Sequence, residues 1–361
     1  MKGLDSQVEG QTNSRPYLLD LSVGDLKTLI EGLGERPYRA NQVLAWVYRR
    51  FVSSFSEMTD LPVAFRTRLE ETLVINRLDL VATQEEEGGW SKKFLWGEDR
   101  KPLVESVLLR YKYGLTGCVS TQVGCPVGCV FCASRVLGFQ RNLSRGEIIE
   151  EFLGMCRDQG ERLGHLVFMG TGEPFLNYDE VLAAIDMLCR KDTYGISRRK
   201  ITVSTVGIPE AIENFAKDGG GAKLALSLHA SKDETRDKLI PLNRAYPIGR
   251  VMEALRHYAE VTGQRVTVEY MLLKGINDGR EDALRLSGLL AGLDCLVNLI
   301  PWNEVPGLEF EPPGKSRVAE FKAILERNRI KVTVRRKLGG NIEAACGQLR
   351  RRTVLSDSPD R

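Results

Sequence analysis

Apolar positions follow two alternating rhythms along most of the chain. From about residue 116 onward, short apolar runs at 117–122, 165–169, 200–206, 223–228, 265–273 and 295–301 read as strands. Between them, apolar residues at helical spacing mark 145–156, 178–190, 209–217, 248–261 and 280–290. Strands that alternate with helices of this length predict βαβ units and a parallel sheet. Six units are too few for a closed eight-stranded barrel, so a partial, open barrel and a doubly wound sheet both fit. A helix over 315–327 and a strand over 331–335 complete the pattern.

Upstream the rhythm differs. Residues 1–16 form a polar tail, and 17–75 read as a small helical domain. Within it Ala40, Val43, Leu44, Val47 and Phe51 share a helix face, opposite Arg39, Gln42, Arg49 and Arg50. That second face is either solvated or turned toward nucleic acid. Residues 76–115 read as a β-rich connecting segment, with short strands at 78–83 and 93–96 around an acidic turn (Glu85, Glu86, Glu87). The organisation expected is a tail to 16, a helical domain over 17–75, the connector, a barrel core over 116–305, an extension over 306–352 and a tail over 353–361.

Composition narrows the class. With 361 residues, 42% hydrophobic and 27% charged, the chain is an ordinary globular one of about two domains. Residues 1–14 hold no apolar stretch of the secretory kind, and no run approaches the ~20 apolar residues of a membrane span. A cytoplasmic protein without a membrane partner is expected. Its eight cysteines would then stay reduced, where clustered thiols bind metal or do catalysis.

Cys125, Cys129 and Cys132 form C-x3-C-x2-C directly after the first barrel strand. Zinc would need a fourth ligand, which Cys118 offers. A 4Fe–4S cube held by three thiolates would keep one iron open for a substrate. Spacing alone leaves both possible. Ligands of α/β sheets bind at the carboxyl ends of strands, and those ends are informative here. The second carries Gly170, Thr171, Gly172, Glu173 and Pro174; the third Ser204 and Thr205; the fourth Ser227, Leu228 and His229; the sixth Trp302 and Asn303. Glu173 can accept from an ammonium group, while Ser204, Ser227 and Asn303 can bind hydroxyls or a carboxylate. Singly, each also reads as a turn glycine, a helix cap, a loop serine or a structural histidine.

The cysteine triplet followed by Gly-Glu-Pro at a strand end resembles the radical S-adenosylmethionine superfamily. Within it, Cys118-Val-Ser-Thr-Gln-Val-Gly-Cys125, Gly138-Phe-Gln-Arg-Asn-Leu143, Ser227-Leu-His-Ala230 and Ile342-Glu-Ala-Ala-Cys346-Gly-Gln-Leu349 resemble the RlmN/Cfr family of RNA adenine methyltransferases. The resemblance runs from about 17 to 352. It implies an α/β fold, a partial (β/α)6 barrel with a small N-terminal helical domain and a C-terminal strand and loop extension. It also implies a 4Fe–4S cluster on Cys125, Cys129 and Cys132, and S-adenosylmethionine held by Gly172, Glu173, Ser204, Ser227, Leu228, His229 and Asn303. Two molecules of S-adenosylmethionine would serve each turnover, one as methyl donor and one as radical source. Cys346 would carry the methyl group, Cys118 would be its redox partner through a transient disulfide, and Glu105 would accept the ring proton. The implied substrates are an adenosine of 23S ribosomal RNA at the peptidyl transferase centre, methylated at C2, and an adenosine in transfer-RNA anticodon loops. An external electron donor such as flavodoxin or ferredoxin would serve a monomer. Thr171 departs from the methionine usual at its position, and Asn341 from an acidic residue.

Charge bears on the RNA partner independently. Across 327–352 nine basic residues oppose one acid, Glu343, so this stretch carries +8 while the whole chain carries +3. Arg190, Lys191, Arg198, Arg199 and Lys200 form a second basic group against Asp192. Such local patches suit phosphate contact, though a solvated helix end has the same composition. Two other readings remain: C8 methylation of the same ribosomal adenosine, as in the Cfr branch, and a zinc-stabilised RNA-binding protein without catalysis.

Overall fold

The computed structural model describes residues 15–98, 101–135, 138–303 and 308–335. It opens with three helices, α1 (Val23–Gly32), α2 (Arg39–Arg50) and α3 (Val63–Thr72). Ser22 and Asp25 start α1 with reciprocal side-chain to backbone bonds, which satisfy two otherwise orphaned N–H groups. In α2, Ala40, Val43, Leu44 and Val47 turn into the core as their spacing predicts. The arginines opposite are less available than a free basic face would be. Arg39 donates to Gln42 (2.8 Å), Arg49 donates to the carbonyls of Lys191 and Thr193, and Arg50 lies 3.9 Å over the Trp46 ring.

The connector departs from expectation. Instead of two short strands it forms three longer ones, β1 (Asp79–Glu85), β2 (Ser91–Glu98) and β3 (Lys101–Tyr111), which run antiparallel into β4 (Gly114–Val119). Phe94, Trp96, Val104 and Leu108 lie on one face and enter the core. Ser91, Lys93 and Glu105 lie on the other and are buried too. Buried polar residues on the second face erase the apolar alternation by which a strand is read from sequence.

Beyond β4 come the two-residue strands β5 (Gln122–Val123) and β6 (Arg141–Asn142), then α4 (Arg145–Gln159), β7 (His165–Phe168), α5 (Tyr178–Cys189) and β8 (Ile201–Thr205). They are followed by α6 (Pro209–Asp218), β9 (Lys223–Ser227), α7 (Asp233–Leu239), α8 (Ile248–Thr262), β10 (Val266–Leu272) and α9 (Arg280–Leu289). The last elements are β11 (Cys295–Pro301), α10 (Lys315–Arg327) and β12 (Lys331–Val334). One ten-stranded sheet has the order β1-β2-β3-β4-β7-β8-β9-β10-β11-β12. From β4 to β12 every neighbouring pair is parallel. Six of these strands are the partial barrel, and β12 adds a seventh. Among the described residues the sheet does not close, and β1 and β12 are its edges.

Alternation assigns the two faces. Leu166, Phe168, Val203, Leu226, Val268 and Val297 point outward and pack into one core with the helices. Cys118, Val167, Thr202, Ser204, Ser227, Glu269 and Asn298 alternate with them and line the inner face. No helix among the described residues is long and apolar enough to cross a membrane.

The helical domain docks on the start of α4. Asp20 accepts from the Gly146 amide (2.7 Å), and a Cβ at Gly146 would lie 2.3 Å from the Tyr17 ring. Glu150 Oε2 accepts from the Tyr17 hydroxyl and from the amides of Arg77 and Leu78 (3.0 Å each). Burial outweighs these donors and raises the Glu150 carboxyl from 4.5 to about 7. A carboxyl raised in the fold holds a proton that unfolding releases. Its contribution is therefore full below about 4.5 and is lost as pH rises through about 7. Because the donors all meet Oε2, Glu150→Gln can turn its amide oxygen toward them while removing the desolvated charge. The variant should be more stable than the parent by about 1–3 kcal/mol at pH 8 and no more stable in acid, measured by thermal unfolding across pH.

Candidate active site

The strand ends converge as expected. The cysteine loop leaves β5, while Gly172 and Glu173 follow β7. Ser204 lies near the end of β8, Ser227 ends β9, Leu228 and His229 follow it, and Asn303 lies two residues beyond β11. All are at the carboxyl side of one parallel sheet. Ser204 and Ser227 touch across β8 and β9, their hydroxyls 3.3 Å apart.

Glu173 is the structural hub of this edge. It is 2% exposed. Its Oε1 accepts from the Phe175 amide (3.0 Å) and its Oε2 from the Val206 amide (2.8 Å), with the Thr205 hydroxyl as a further donor. Burial nevertheless raises the carboxyl to about 7. A carboxylate has about four lone-pair sites, so little capacity remains for a ligand ammonium beyond these bonds. The amide of Glu173 in turn donates to Gln122 Oε1 (2.8 Å), which ties the β7 turn to the cysteine loop.

Gly172 is required by geometry: its φ is +117°, and a Cβ there would lie 2.6 Å from Thr121 Oγ1. Thr171 acts mainly through its backbone. Its carbonyl accepts from Thr121 (2.9 Å) and Gln122 (3.2 Å), and its amide donates to Ser120 Oγ (2.8 Å). The departure from methionine therefore leaves this turn intact.

His229 adopts a left-handed φ of +56°, rare for a non-glycine residue. Its Nδ1 accepts from the Met271 amide (3.0 Å), so the neutral ring carries its proton on Nε2. Burial, reinforced by Arg236, pulls its pKa down to about 3. The ring meets Phe131 of the cysteine loop edge-on at 5.1 Å. Leu228 is wholly buried, its amide donating to Glu269 and its carbonyl accepting from Arg236. Any ligand contact by Leu228 would use the carbonyl.

Cys125, Cys129 and Cys132 are half-buried against Val127, Phe131, Leu239, Ile240, Leu273 and Trp302. Burial pushes the Cys125 thiol up to about 12, against backbone N–H bonds from Val127 and Gly128. Cys129 is raised by burial and then by Cys132 and Cys125. Cys118 lies apart, in β4. Among the described residues no group of three or more Cys, His, Asp or Glu side chains is arranged to hold a single ion.

Cys118 and Glu105 share the inner face. In register, Cys118 pairs with Val107 and Glu105 with Leu95, so both side chains alternate to the same side, and both are buried. Lys93, also buried there, pairs with Val107. Sequence reading overlooked it, because a lone lysine beside Lys92 resembles a solvated pair. Arg236 was overlooked for a similar reason. Cys346 and Asn341 lie outside the described residues. In the second basic group, Arg190 pairs with Asp192 and Arg198 with Asp186, while Lys191, Arg199 and Lys200 are exposed.

This open barrel with three thiols at its rim defines a class, and residues 119–287 match the Radical SAM superfamily. Residues 17–75 match the ribosomal RNA large subunit methyltransferase N-terminal domain. A probable dual-specificity RNA methyltransferase RlmN of Desulforamulus reducens is 45% identical over 94% of this chain and 97% of its own. Its counterpart from Thermotoga maritima is 44% identical over 94% and 99%. The crystal structure of a radical SAM methyltransferase from Sphaerobacter thermophilus superposes with a TM-score of 0.89 at 39% identity, covering 92% of this chain and 98% of that one. The chain belongs to the RlmN family of radical SAM RNA methyltransferases. A 4Fe–4S cluster and S-adenosylmethionine are the cofactors of that superfamily, and the donor set fits the cluster: three soft thiols, an apolar wall and backbone N–H groups aimed at sulfur.

Proposed function

We propose that this enzyme methylates C2 of an adenosine in 23S ribosomal RNA at the peptidyl transferase centre, and an adenosine in transfer-RNA anticodon loops. The observation that carries the reading is the juxtaposition on one sheet of the cysteine-bearing edge and an inner face holding Cys118 and Glu105. Cys125, Cys129 and Cys132 are the cluster ligands; Gly172, Glu173, Ser204, Ser227, Leu228, His229 and Asn303 form the S-adenosylmethionine site. The names of the relatives, which specify dual-specificity RNA methylation, support the RNA assignment.

When bound, the cluster and S-adenosylmethionine supply a 5′-deoxyadenosyl radical that activates a methyl group already on the protein. Cys346 takes that methyl from a first S-adenosylmethionine by displacement, with its thiolate as nucleophile. Once the activated carbon has joined the adenine ring, the adduct would give up its unpaired electron to the one-electron carrier and its ring proton to Glu105, leaving a closed-shell thioether between RNA and Cys346. The Cys118 thiolate then attacks the Cys346 sulfur and breaks the sulfur–carbon bond; the released carbon takes up a proton as the RNA methyl group, and a disulfide remains. A one-electron donor and a dithiol reductant restore the enzyme. Lys191, Arg199 and Lys200, with the basic stretch around Cys346, favour RNA phosphate.

The deciding experiment is anaerobic turnover with methyl-labelled S-adenosylmethionine on total RNA, followed by nucleoside analysis. Label should appear as 2-methyladenosine in both 23S and transfer RNA. Label in 8-methyladenosine would overturn the C2 assignment, and absence from transfer RNA would overturn dual specificity.

A further inference from the structure

One buried charge at the site has no formal counter-charge within ion-pairing distance among the described residues. Arg236, in α7, is 1% exposed. Its Nε donates to the Leu228 carbonyl (3.0 Å), Nη1 to Asn243 Oδ1 (2.8 Å), and Nη2 to the carbonyls of Ser227 (3.3 Å) and Val206. Every one of these acceptors is neutral. Asp233 and Asp237 are reached through the Asn243 amide, which donates to both (2.9 and 2.6 Å). Desolvation accordingly pulls the guanidinium down to about 10, although Arg is normally the most secure cation in a protein.

The same helix supports the cysteine loop. The Ile240 amide bonds back to the Arg236 carbonyl (2.7 Å), and the Val130 amide bonds to the Leu239 carbonyl (3.0 Å). Leu239 and Ile240 pack with Cys125, Cys129 and Cys132. Arg236 therefore stands on the same short helix as the residues that pack directly on the cysteine loop. A buried cation lacking a carboxylate partner thus stands behind a loop whose three sulfurs must be anionic to bind iron.

We infer that Arg236 is the counter-cation of the iron–sulfur cluster, balancing the thiolate charge at Cys129 and its neighbours and favouring the one-electron-reduced state. Three thiolates make the oxidised assembly anionic, and one electron from an external low-potential donor adds a further negative charge. In a water-poor site a fixed positive charge stabilises that product more than the oxidised form, which raises the reduction potential. Arg236 acts through the cluster and through the carbonyls it fixes, so it is a positioning residue. The inference rests on the assignment of Cys125, Cys129 and Cys132 as ligands.

The test is an EPR-monitored redox titration of anaerobically reconstituted full-length protein, with iron and sulfide content measured alongside. Arg236→Gln should lower the midpoint potential at unchanged iron content, and Arg236→Lys should lower it less. Asp237→Asn, which removes an acid from the Asn243 relay, should raise it. This variant leaves the guanidinium bonds in place and decides the matter if Arg236→Gln fails to fold. Midpoints of Arg236→Gln and Asp237→Asn equal to the parent overturn the inference and leave the ligand assignment standing. A parent chain that takes up no 4Fe–4S cluster overturns the assignment and the inference together.

Discussion

Alanine in place of Cys346 abolishes RNA methylation while the protein still binds iron and cleaves S-adenosylmethionine under reducing conditions: that is the expected result. The reason is chemical. C2 of adenine is a poor nucleophile, so a methyl group cannot pass to it directly from a sulfonium. Without the carrier thiol the radical has no bound methyl to activate. Residual turnover should be undetectable, since in the proposed mechanism the methyl group reaches RNA only through Cys346. Cys118→Ala is predicted to fail later. Methyl transfer to Cys346 and bond formation to RNA proceed, but nothing attacks the Cys346 sulfur, so RNA stays attached to protein. A denaturing gel with labelled RNA separates the two outcomes. Free unmodified RNA is expected for Cys346→Ala and a protein–RNA conjugate for Cys118→Ala. A conjugate formed by Cys346→Ala would sink the assignment of the carrier.

The second large effect is expected at Gly172. At φ +117° a side chain is strained, and a Cβ would press on Thr121 Oγ1 at 2.6 Å and on Gln122 Cβ at 2.9 Å. Gln122 also receives the Glu173 amide, so displacing it disturbs the link between the β7 turn and the cysteine loop. Strain and overpacking each cost about 1–3 kcal/mol. Gly172→Val should therefore lower stability by several kcal/mol and weaken S-adenosylmethionine binding at least tenfold, read by thermal unfolding and equilibrium dialysis. Gly128→Ala is the control: it also has a positive φ, +68°, but a Cβ there meets nothing within 4 Å. Equal losses in the two variants would show that crowding at Gly172 is unimportant.

The parallel part of the sheet was legible because strands covered by helices read as apolar runs at regular intervals. The site was legible to the extent that its residues follow those runs: once β7, β8, β9 and β11 are found, Glu173, Ser204, Ser227 and Asn303 fall at their ends. The antiparallel strands were harder. Lys93 and Glu105 point into the protein, so a pattern that equates polar with exposed reads β2 only over 93–96 and misses β3. The bonding of Glu173 was also hidden. An acid in Gly-Glu-Pro reads as a ligand-facing group, yet its oxygens hold Val206 and Phe175 in place, partners distant in fold or short of any motif. Arg236 has the same history, since only the folded chain brings Val206, Ser227 and Leu228 around it.

The open edge at β12 has a further consequence. Val334 ends that strand, and the Arg335 amide is still bonded to the Leu299 carbonyl at 2.8 Å, so the backbone is anchored there. Cys346 follows eleven residues after Arg335. A covalent arm of that length reaches at most about 40 Å. Under the role proposed for Cys346, its sulfur would meet the inner face at an effective concentration set by the tether rather than by diffusion from bulk. On the proposed mechanism the methyl courier is thus kept on a leash anchored at β12, and lengthening the arm should slow RNA methylation by diluting it at the sheet.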